Sequence, residues 1–457
     1  MAVRELKIGA SGVRGVVGDA LTPELIVNFA CAFGTWCGTG PVVIGRDTRR
    51  SSTGFRAAVV SGLLSTGCRV IDYGVSASPL VSFAIREFGA SGGIAITGSH
   101  NDANWNALKF FGPDGALLNA AKNEELLDVY HGSAHVLATW DRLQPVERAP
   151  DLAARYLEHL ASALDLDPIR ARRFRVAVDF TNGACGALAS RFLESLCCTL
   201  LPVNEEPTGE FAHPPAPTVA NMRQVASLAR VFGADLGAAL NVDGDRIGFV
   251  TAEGKPLSEE YSLPLAALPR MRRRPGPIVT SHSTSGMVEA LARAHGQPVI
   301  RGPVGESQIV DLGLAEGAVI AGEGSGGVAV LPLNMAYDGL LALGLVLEEM
   351  ATSGRTLAEL AESFPRLYMR KRELPCPPNL VYKVLERFRR HHAGESPDTT
   401  DGVRLAWDDA SWLHVRASAT EPLLRIIAEA PDAGRAESLV EEALVFARRI
   451  TFGHEGN

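Results

Sequence analysis

Short apolar runs of strand length recur along the chain, at residues 42–45, 94–97, 176–180, 236–240, 277–280 and 319–321, with stretches of helical spacing between them. That alternation predicts an α/β protein with largely parallel sheets. Each run ends in a polar or glycine-rich stretch: GRDTRRSS, TGSHND, DFTNGACG, NVDGDR, TSHSTSG and GEGSGG. Ligands of open α/β sheets sit beyond the carboxyl ends of strands, so function is expected in these six stretches. A strand, a polar loop and a helix follow one another after residues 44, 178 and 279, which suggests three uses of one module.

Breaks in the pattern divide the chain. The polar, proline-bounded stretch 140–150 precedes Asp151, an expected N-cap for an amphipathic helix carrying Leu152, Tyr156, Leu160 and Leu164. The turn at 251–255 ends a second unit, and LPCPPNL at 374–380 starts a last piece that closes in a helix over 437–450. The expected units are therefore 1–145, 146–253, 254–370 and 371–457. HHAGESPDTT at 391–400 reads as a mobile loop.

Composition removes several classes. The 457 residues are 46% hydrophobic and 21% charged, enough to fill several cores and too apolar for a disordered chain. A net charge of −8 argues against nucleic acid as the main partner. No uncharged apolar window reaches membrane-spanning length, and the opening MAVRELKIG lacks an apolar signal core, so the expectation is a cytoplasmic protein with no membrane partner. The seven cysteines, without a CxxC pair, read as reduced thiols.

Two motifs mislead. Residues 322–327 satisfy GxGxxG but run into the strand-like VAVLPL, and a dinucleotide fingerprint must open a helix. Residues 89–93 satisfy GxSxG but precede a strand and read as a helix end. No Walker A sequence is present.

Four constellations point to phosphate chemistry. Asp243 and Asp245, one glycine apart and followed by Arg246, can aim two carboxylates at one hard cation. Ser99, in TGSHN with His100 beside it and Lys109 further on, is a candidate nucleophile or phosphoryl carrier. Arg416, Ser418, Thr420 and Arg425 gather two guanidinium groups and two hydroxyls around a turn, donors that suit a phosphate dianion. Glu323 and Ser325, among four glycines, suit the vicinal hydroxyls of a sugar. Ser11, Arg14, Arg46 and Arg49 add hydroxyl and cationic groups near the N-terminus.

With these motifs in hand, the sequence resembles the α-D-phosphohexomutase family of phosphoglucomutases, phosphomannomutases and phosphoglucosamine mutases. The motifs run end to end in family order: ASGVRG, GRDTRRSS, TGSHNDANWNALKFF, DFTNGACG, NVDGDRIGFV, VGESQIV, GEGSGG and DGV…WLHVRASATEPLLRIIAEA. The resemblance implies a heart-shaped, four-domain architecture, three related α/β domains and a smaller C-terminal α+β domain around a central cleft. It implies a phosphoserine at Ser99 and Mg²⁺ held by Ser99, Asn241, Asp243 and Asp245. Glu323 and Ser325 would bind sugar, and Arg416, Ser418, Thr420 and Arg425 would bind phosphate. The implied catalytic set is Ser99, His100, Lys109, Arg14 and Arg246, with Lys109 or His100 for acid and base work.

The implied reaction interconverts hexose 1-phosphate and 6-phosphate through a 1,6-bisphosphate, which also serves as activator, in a monomer or homodimer. Asn241 stands where the metal loop usually has Asp, removing one negative charge. Asp102 and Ala107 replace the usual Pro and Gly, Gly327 replaces a His found in many bacterial members, and Ser307 replaces a Lys or Arg. The last two features resemble branches named phosphoglucosamine mutase, the expected activity. The alternatives are a phosphomannomutase or phosphoglucomutase, a catalytically weak sugar-phosphate-binding member, and a phosphoserine-dependent sugar phosphatase.

Overall fold

Three of the four sheets in the computed structural model, which describes residues 6–9, 12–418 and 422–453, share one topology. In the first, Val42–Arg46 leads through helix Arg50–Ser65 to the parallel strand Val70–Val75, and through helix Ser78–Phe88 to Gly92–Ile96 on its other side. Trp105–Phe111 then returns antiparallel. The second repeats this path with strands Arg175–Asp179, Thr199–Val203, Leu236–Leu240 and Ile247–Thr251. The third does so with Ile278–Ser281, Val299–Gly302, Ile320–Glu323 and Gly327–Ala329. The expected α/β module recurs, but each copy is mixed: two parallel pairs and one antiparallel closing strand. A hairpin from the third strand back along its edge needs only a short loop, and only antiparallel pairing permits one.

That topology fixes where chemistry can sit. The connection from the third to the fourth strand occupies the same place in every copy, and it holds residues 97–104, 241–246 and 324–326 in turn. The serine, aspartate and sugar-type loops are therefore structural equivalents. The GxGxxG match lies on the third of these hairpins, and Gly89 of the GxSxG match caps helix Ser78–Phe88 in the left-handed conformation.

The first sheet is widened by Lys7–Gly9, Gly12–Val16 and Val146–Arg148. It thus continues to Arg148, past residue 145. The fourth sheet is wholly antiparallel, in spatial order Tyr368–Pro375, Leu423–Ala430, Trp412–Ala417, Val403–Ala406, covered by helices Pro378–His391 and Ala433–Phe452. The 391–400 stretch, expected as a mobile loop, is folded into a 3₁₀ turn at Ala393–Glu395. Glu395 there accepts hydrogen bonds from His392 Nδ1 at 2.6 Å and Trp407 Nε1 at 2.8 Å. The expected N-cap Asp151 stands one residue before the actual cap, Leu152, of helix Ala153–Ala161; its carboxylate accepts from Ala153 N at 2.8 Å, and Leu164 lies beyond the helix end.

One continuous apolar core joins the second and third units and reaches the first. At its centre is helix Gly339–Ser353, capped by Asp338, with every residue from Gly339 to Met350 buried. A helix apolar on all faces is stable only inside a protein, and this one packs against Ser262–Arg273 and Leu166–Arg172. Its two buried glutamates meet cations: Glu348 accepts from Arg273 at 2.9 Å and Glu349 from Arg272 at 2.7 Å.

Candidate active site

Ser99 sits at the tip of the first hairpin connection with φ at +51°, a left-handed conformation uncommon for a residue with a side chain. The loop is braced from behind. Asp47 accepts from Thr97 Oγ1 at 2.8 Å and Ser52 Oγ at 2.6 Å, Thr97 Oγ1 accepts from Ser99 N at 2.9 Å, and buried Arg49 pairs with Asp47 and donates to the Ser99 carbonyl at 3.1 Å. Arg49 therefore braces the loop's backbone. Arg46 donates to the Asp47 carbonyl at 3.0 Å, and Arg14 donates to Asn101 Oδ1 at 2.8 Å.

Facing Ser99 is the equivalent loop of the second unit. Ser99 Oγ donates to Asp245 at 3.1 and 3.2 Å, and Lys109 Nζ donates to Asp243 at 2.8 Å and Asp245 at 2.5 Å. Gly244, at φ +71°, makes the turn between the aspartates, and a Cβ there would lie 2.3 Å from Cys185 Sγ. Asn241 Oδ1 accepts from Arg246 N at 3.1 Å, so its Nδ2 is turned inward and donates to Ser99 Oγ and Asp243 Oδ1 at 3.0 Å each, and to Asp245 Oδ1 at 2.5 Å. An amide flip would set an N–H against an N–H, which fixes this orientation. Asn241 thus gives the pocket a donor where an aspartate would give an oxygen.

Charges compensate inside this pocket. Burial works against the Lys109 ammonium, yet Asp243 and Asp245 outweigh it and the net shift is upward. Burial and the neighbouring Asp245 push Asp243 up. Burial, then Arg246 and Arg14, hold His100 well below its usual value; its Nδ1 is 3.4 Å from Ser99 Oγ.

The third loop joins by backbone pairing: Arg246 bridges Gly327, and Ile247 N donates to Gly326 O at 3.0 Å. Glu323 accepts from Gly305 N at 3.1 Å and Tyr337 Oη at 3.2 Å, and burial raises it against the pull of Arg246. Ser325 Oγ is buried without a partner among the described residues. In the fourth unit Arg416 and Arg425 stand opposite each other on adjacent strands. Arg416 Nε donates to Asp401 at 3.0 Å, Arg425 lies 3.6 Å from Glu373, and Ser418 N donates to the Leu423 carbonyl at 2.9 Å. Ser11 and Thr420 lie outside the described residues.

Sequence reasoning missed four residues around this site. Ser78 Oγ donates to Asp243 at 2.6 Å and its N–H to the Asp243 carbonyl at 2.9 Å, so the first unit grips the aspartate loop. Ser78 follows the second strand of its module, a strand-end position the topology rule could have flagged. Glu306, in VGES, accepts from Tyr337 N at 2.8 Å; burial pushes it up to about 7, against Lys109 and with Asp245. Asp401 opens the DGV of the last motif, a signal that went unused, whereas Tyr337 offered none.

Three copies of one module, their equivalent loops bringing together a serine, two aspartates and a lysine, and a fourth unit presenting paired arginines, define a phosphohexomutase. Comparison with known proteins agrees. Four successive family profiles match: phosphoglucomutase/phosphomannomutase alpha/beta/alpha domains I, II and III at residues 5–135, 154–254 and 258–368, and the C-terminal domain at 378–444. The chain is 33% identical over 443 residues to a phosphoglucomutase/phosphomannomutase of Thermococcus kodakarensis, covering 95% of this chain and 96% of that one. It is 34% identical to a probable phosphoglucosamine mutase of Pyrococcus abyssi, with the same coverage. A crystal structure of a putative phosphomannomutase from Thermus thermophilus superposes with a TM-score of 0.81 at 28% identity, covering 98% of this chain and 100% of that one. The chain belongs to the phosphoglucomutase/phosphomannomutase family, enzymes that move a phosphoryl group within one sugar and so count as isomerases.

Proposed function

We propose that the protein interconverts the 1- and 6-phosphates of a hexose through a phosphoserine at Ser99, with glucosamine phosphate as its substrate. The observation behind this reading is the meeting of Ser99 Oγ with Asp243, Asp245 and Lys109 from two units. The free hydroxyl oxygen of the hexose monophosphate attacks phosphorus on Ser99, the bond from phosphorus to Oγ breaks, and a 1,6-bisphosphate forms. The hydroxyl proton leaves to a base, and negative charge collects on Oγ, to which Asn241 Nδ2 donates, while Lys109, bonded to the same Asp245, adds positive charge nearby. His100 and Lys109 are the candidates for moving that proton. After the bisphosphate turns over, its other phosphoryl group returns to Ser99 by the reverse step. Arg416, Arg425, Ser418 and Thr420 hold the phosphate that is not reacting, Glu323 and Ser325 hold the sugar hydroxyls, and Arg14 and Arg246 add positive charge around the serine.

The donor set fits Mg²⁺. Two buried carboxylates and the serine oxygen converge, and Mg²⁺ characteristically takes one or two carboxylates with phosphate oxygens and keeps several waters. Asp243, Asp245 and the phosphate on Ser99 would hold the ion, which when bound neutralises charge on the phosphoryl oxygens. Asn241, with its oxygen engaged by Arg246, stays out of that set in the orientation seen.

Glucosamine phosphate is favoured by Gly327 and Ser307, and by probable phosphoglucosamine mutases at similar identity to this chain. A cytoplasmic setting is in keeping with the seven free cysteines. The test is ³¹P NMR with Mg²⁺, a trace of hexose 1,6-bisphosphate to charge Ser99, and glucosamine, mannose or glucose 1-phosphate in turn. A 6-phosphate formed fastest from glucosamine 1-phosphate is the expected result. Binding of all three without conversion would assign a binding role, and release of inorganic phosphate ahead of isomerisation would assign a phosphatase.

A further inference from the structure

We infer that Tyr337 is the residue that positions Glu323 toward the sugar, and that position 327 is glycine so that the tyrosine ring can stand there. The inference rests on the reading of Glu323 as a sugar contact. Tyr337 is 1% exposed, and its phenol donates to Glu323 Oε2 at 3.2 Å while Gly305 N donates to Oε1 at 3.1 Å, so the carboxylate is held from both sides. Each oxygen keeps an acceptor site, which leaves the group able to take sugar hydroxyls in a fixed plane.

The space around the ring is closed. A Cβ on Gly327 would lie 2.1 Å from Tyr337 Cδ2 and 2.4 Å from Cε2. The backbone of Gly327 has no left-handed φ, so its glycine answers to space rather than conformation. Nor can it move aside, because Gly327 pairs with Glu323 within the hairpin and bridges Arg246 of the aspartate loop. The tyrosine is equally fixed: its N–H holds Glu306 at 2.8 Å, and Asp338, next in the chain, caps the buried helix Gly339–Ser353. A larger side chain at 327 would occupy the volume this ring fills. Ring and glycine form one unit that aims Glu323.

Tyr337→Phe keeps the ring and removes only the hydroxyl. Calorimetric titration with glucosamine 6-phosphate and steady-state mutase kinetics are expected to show Kd and KM raised about tenfold, the effect of one hydrogen bond to a charged group. The value of kcat should stay within about twofold, as should the rate at which saturating glucose 1,6-bisphosphate phosphorylates Ser99. In a Glu323→Gln background the same substitution should cost nothing further, because its effect passes through Glu323. Gly327→Ala, which pushes the ring, should weaken sugar binding while Ser99 still accepts a phosphoryl group. Unchanged Kd and KM in Tyr337→Phe, or a full additional loss in the double variant, overturns the positioning role. A wild-type protein that neither binds nor converts any hexose phosphate overturns the reading of the site and this inference with it.

Discussion

Ser99, Asp243, Asp245 and Lys109 are each 4% exposed or less, whereas the Arg425 side chain in the fourth unit is 39% exposed, beside a Glu373 that is 57% exposed. The serine pocket is gripped by several bonds between units, including both from Ser78 to Asp243. The fourth unit is tied to the third through Val304 N to Asp401 at 2.9 Å, Arg404 Nε to the His282 carbonyl at 3.1 Å and Ser283 with His414 at 2.9 Å. The difference follows from what each end must do under the proposed reaction. Where a bond to phosphorus breaks, water must be kept out and charge arranged in advance. Where the idle phosphate would be held, either end of the sugar must be accepted in turn, and there Arg425 is left accessible while Arg416 opposite it is buried.

The largest effect should come from the buried end. Ser99→Ala removes the only group proposed to carry the phosphoryl, and mutase activity should fall at least about a thousandfold. Intact-mass analysis after exposure to hexose 1,6-bisphosphate should show the phosphate adduct on wild type and none on the variant. Full activity in Ser99→Ala would end the phosphoserine reading.

Asn241→Asp alters the same pocket in the opposite sense. It restores a negative charge and an oxygen in place of the inward Nδ2. One charge pair at ~4 Å and an effective dielectric near 20 is worth on the order of 4 kcal/mol as a ceiling, so Mn²⁺ should bind at least about tenfold tighter. Electron paramagnetic resonance of free Mn²⁺ reads this without turnover, and equal affinities would show that the amide costs the cation nothing.

At the open end effects should be smaller. Asp401→Asn weakens the hold on Arg416 Nε and on Val304 N, which share its Oδ2. Here KM is expected to rise about three- to tenfold while Ser99 phosphorylation by saturating hexose 1,6-bisphosphate proceeds at the wild-type rate. A matching loss in phosphorylation would mean the two ends are not independent.

The same contrast explains what could be read beforehand. The Ser99, Asp243, Asp245 and Glu323 loops were legible because local polarity interrupts apolar strands there, and strand ends are where α/β sheets bind ligands. Their equivalence as one hairpin connection was not, since the copies share shape and almost no residues. Tyr337 and Asp401 act at long sequence separation: Tyr337 on Glu306, Asp401 on Val304. No local pattern encodes a contact across so many residues. The direction of the Asn241 amide was likewise closed to sequence, because a hydrogen bond from Arg246 N decides it. The 391–400 loop misled because His392, Glu395 and Trp407 fasten a stretch whose composition alone reads as mobile.

The smallest effect separates the two ends by pH. His282 and His414, 2% and 0% exposed with rings 5.8 Å apart, lie where the third and fourth units meet. Burial is the main cause holding both below the usual value, His414 at about 4, with Asp398, Asp401, Arg404, Arg301 and Arg416 as the charged groups around them. A histidine whose folded value is lowered binds fewer protons than it does unfolded, so its contribution is complete above ~6.5 and declines as pH falls below that. The neutral His414 ring donates from Nε2 to the Asp401 carbonyl at 2.5 Å, which leaves Nδ1 to accept from Ser283 Oγ at 2.9 Å. Opening this contact frees the ring to take a second proton at a pH where the folded ring stays neutral, so acid favours the opened form. The expected outcome between pH 7.5 and 5 is faster amide exchange in Trp412–Ala417, after correction for the intrinsic pH dependence, with little change in Gly92–Ile96 behind Ser99. In His414→Gln that pH sensitivity should shrink. Equal changes in both strands would place the acid response elsewhere and remove these histidines from the difference between the two ends.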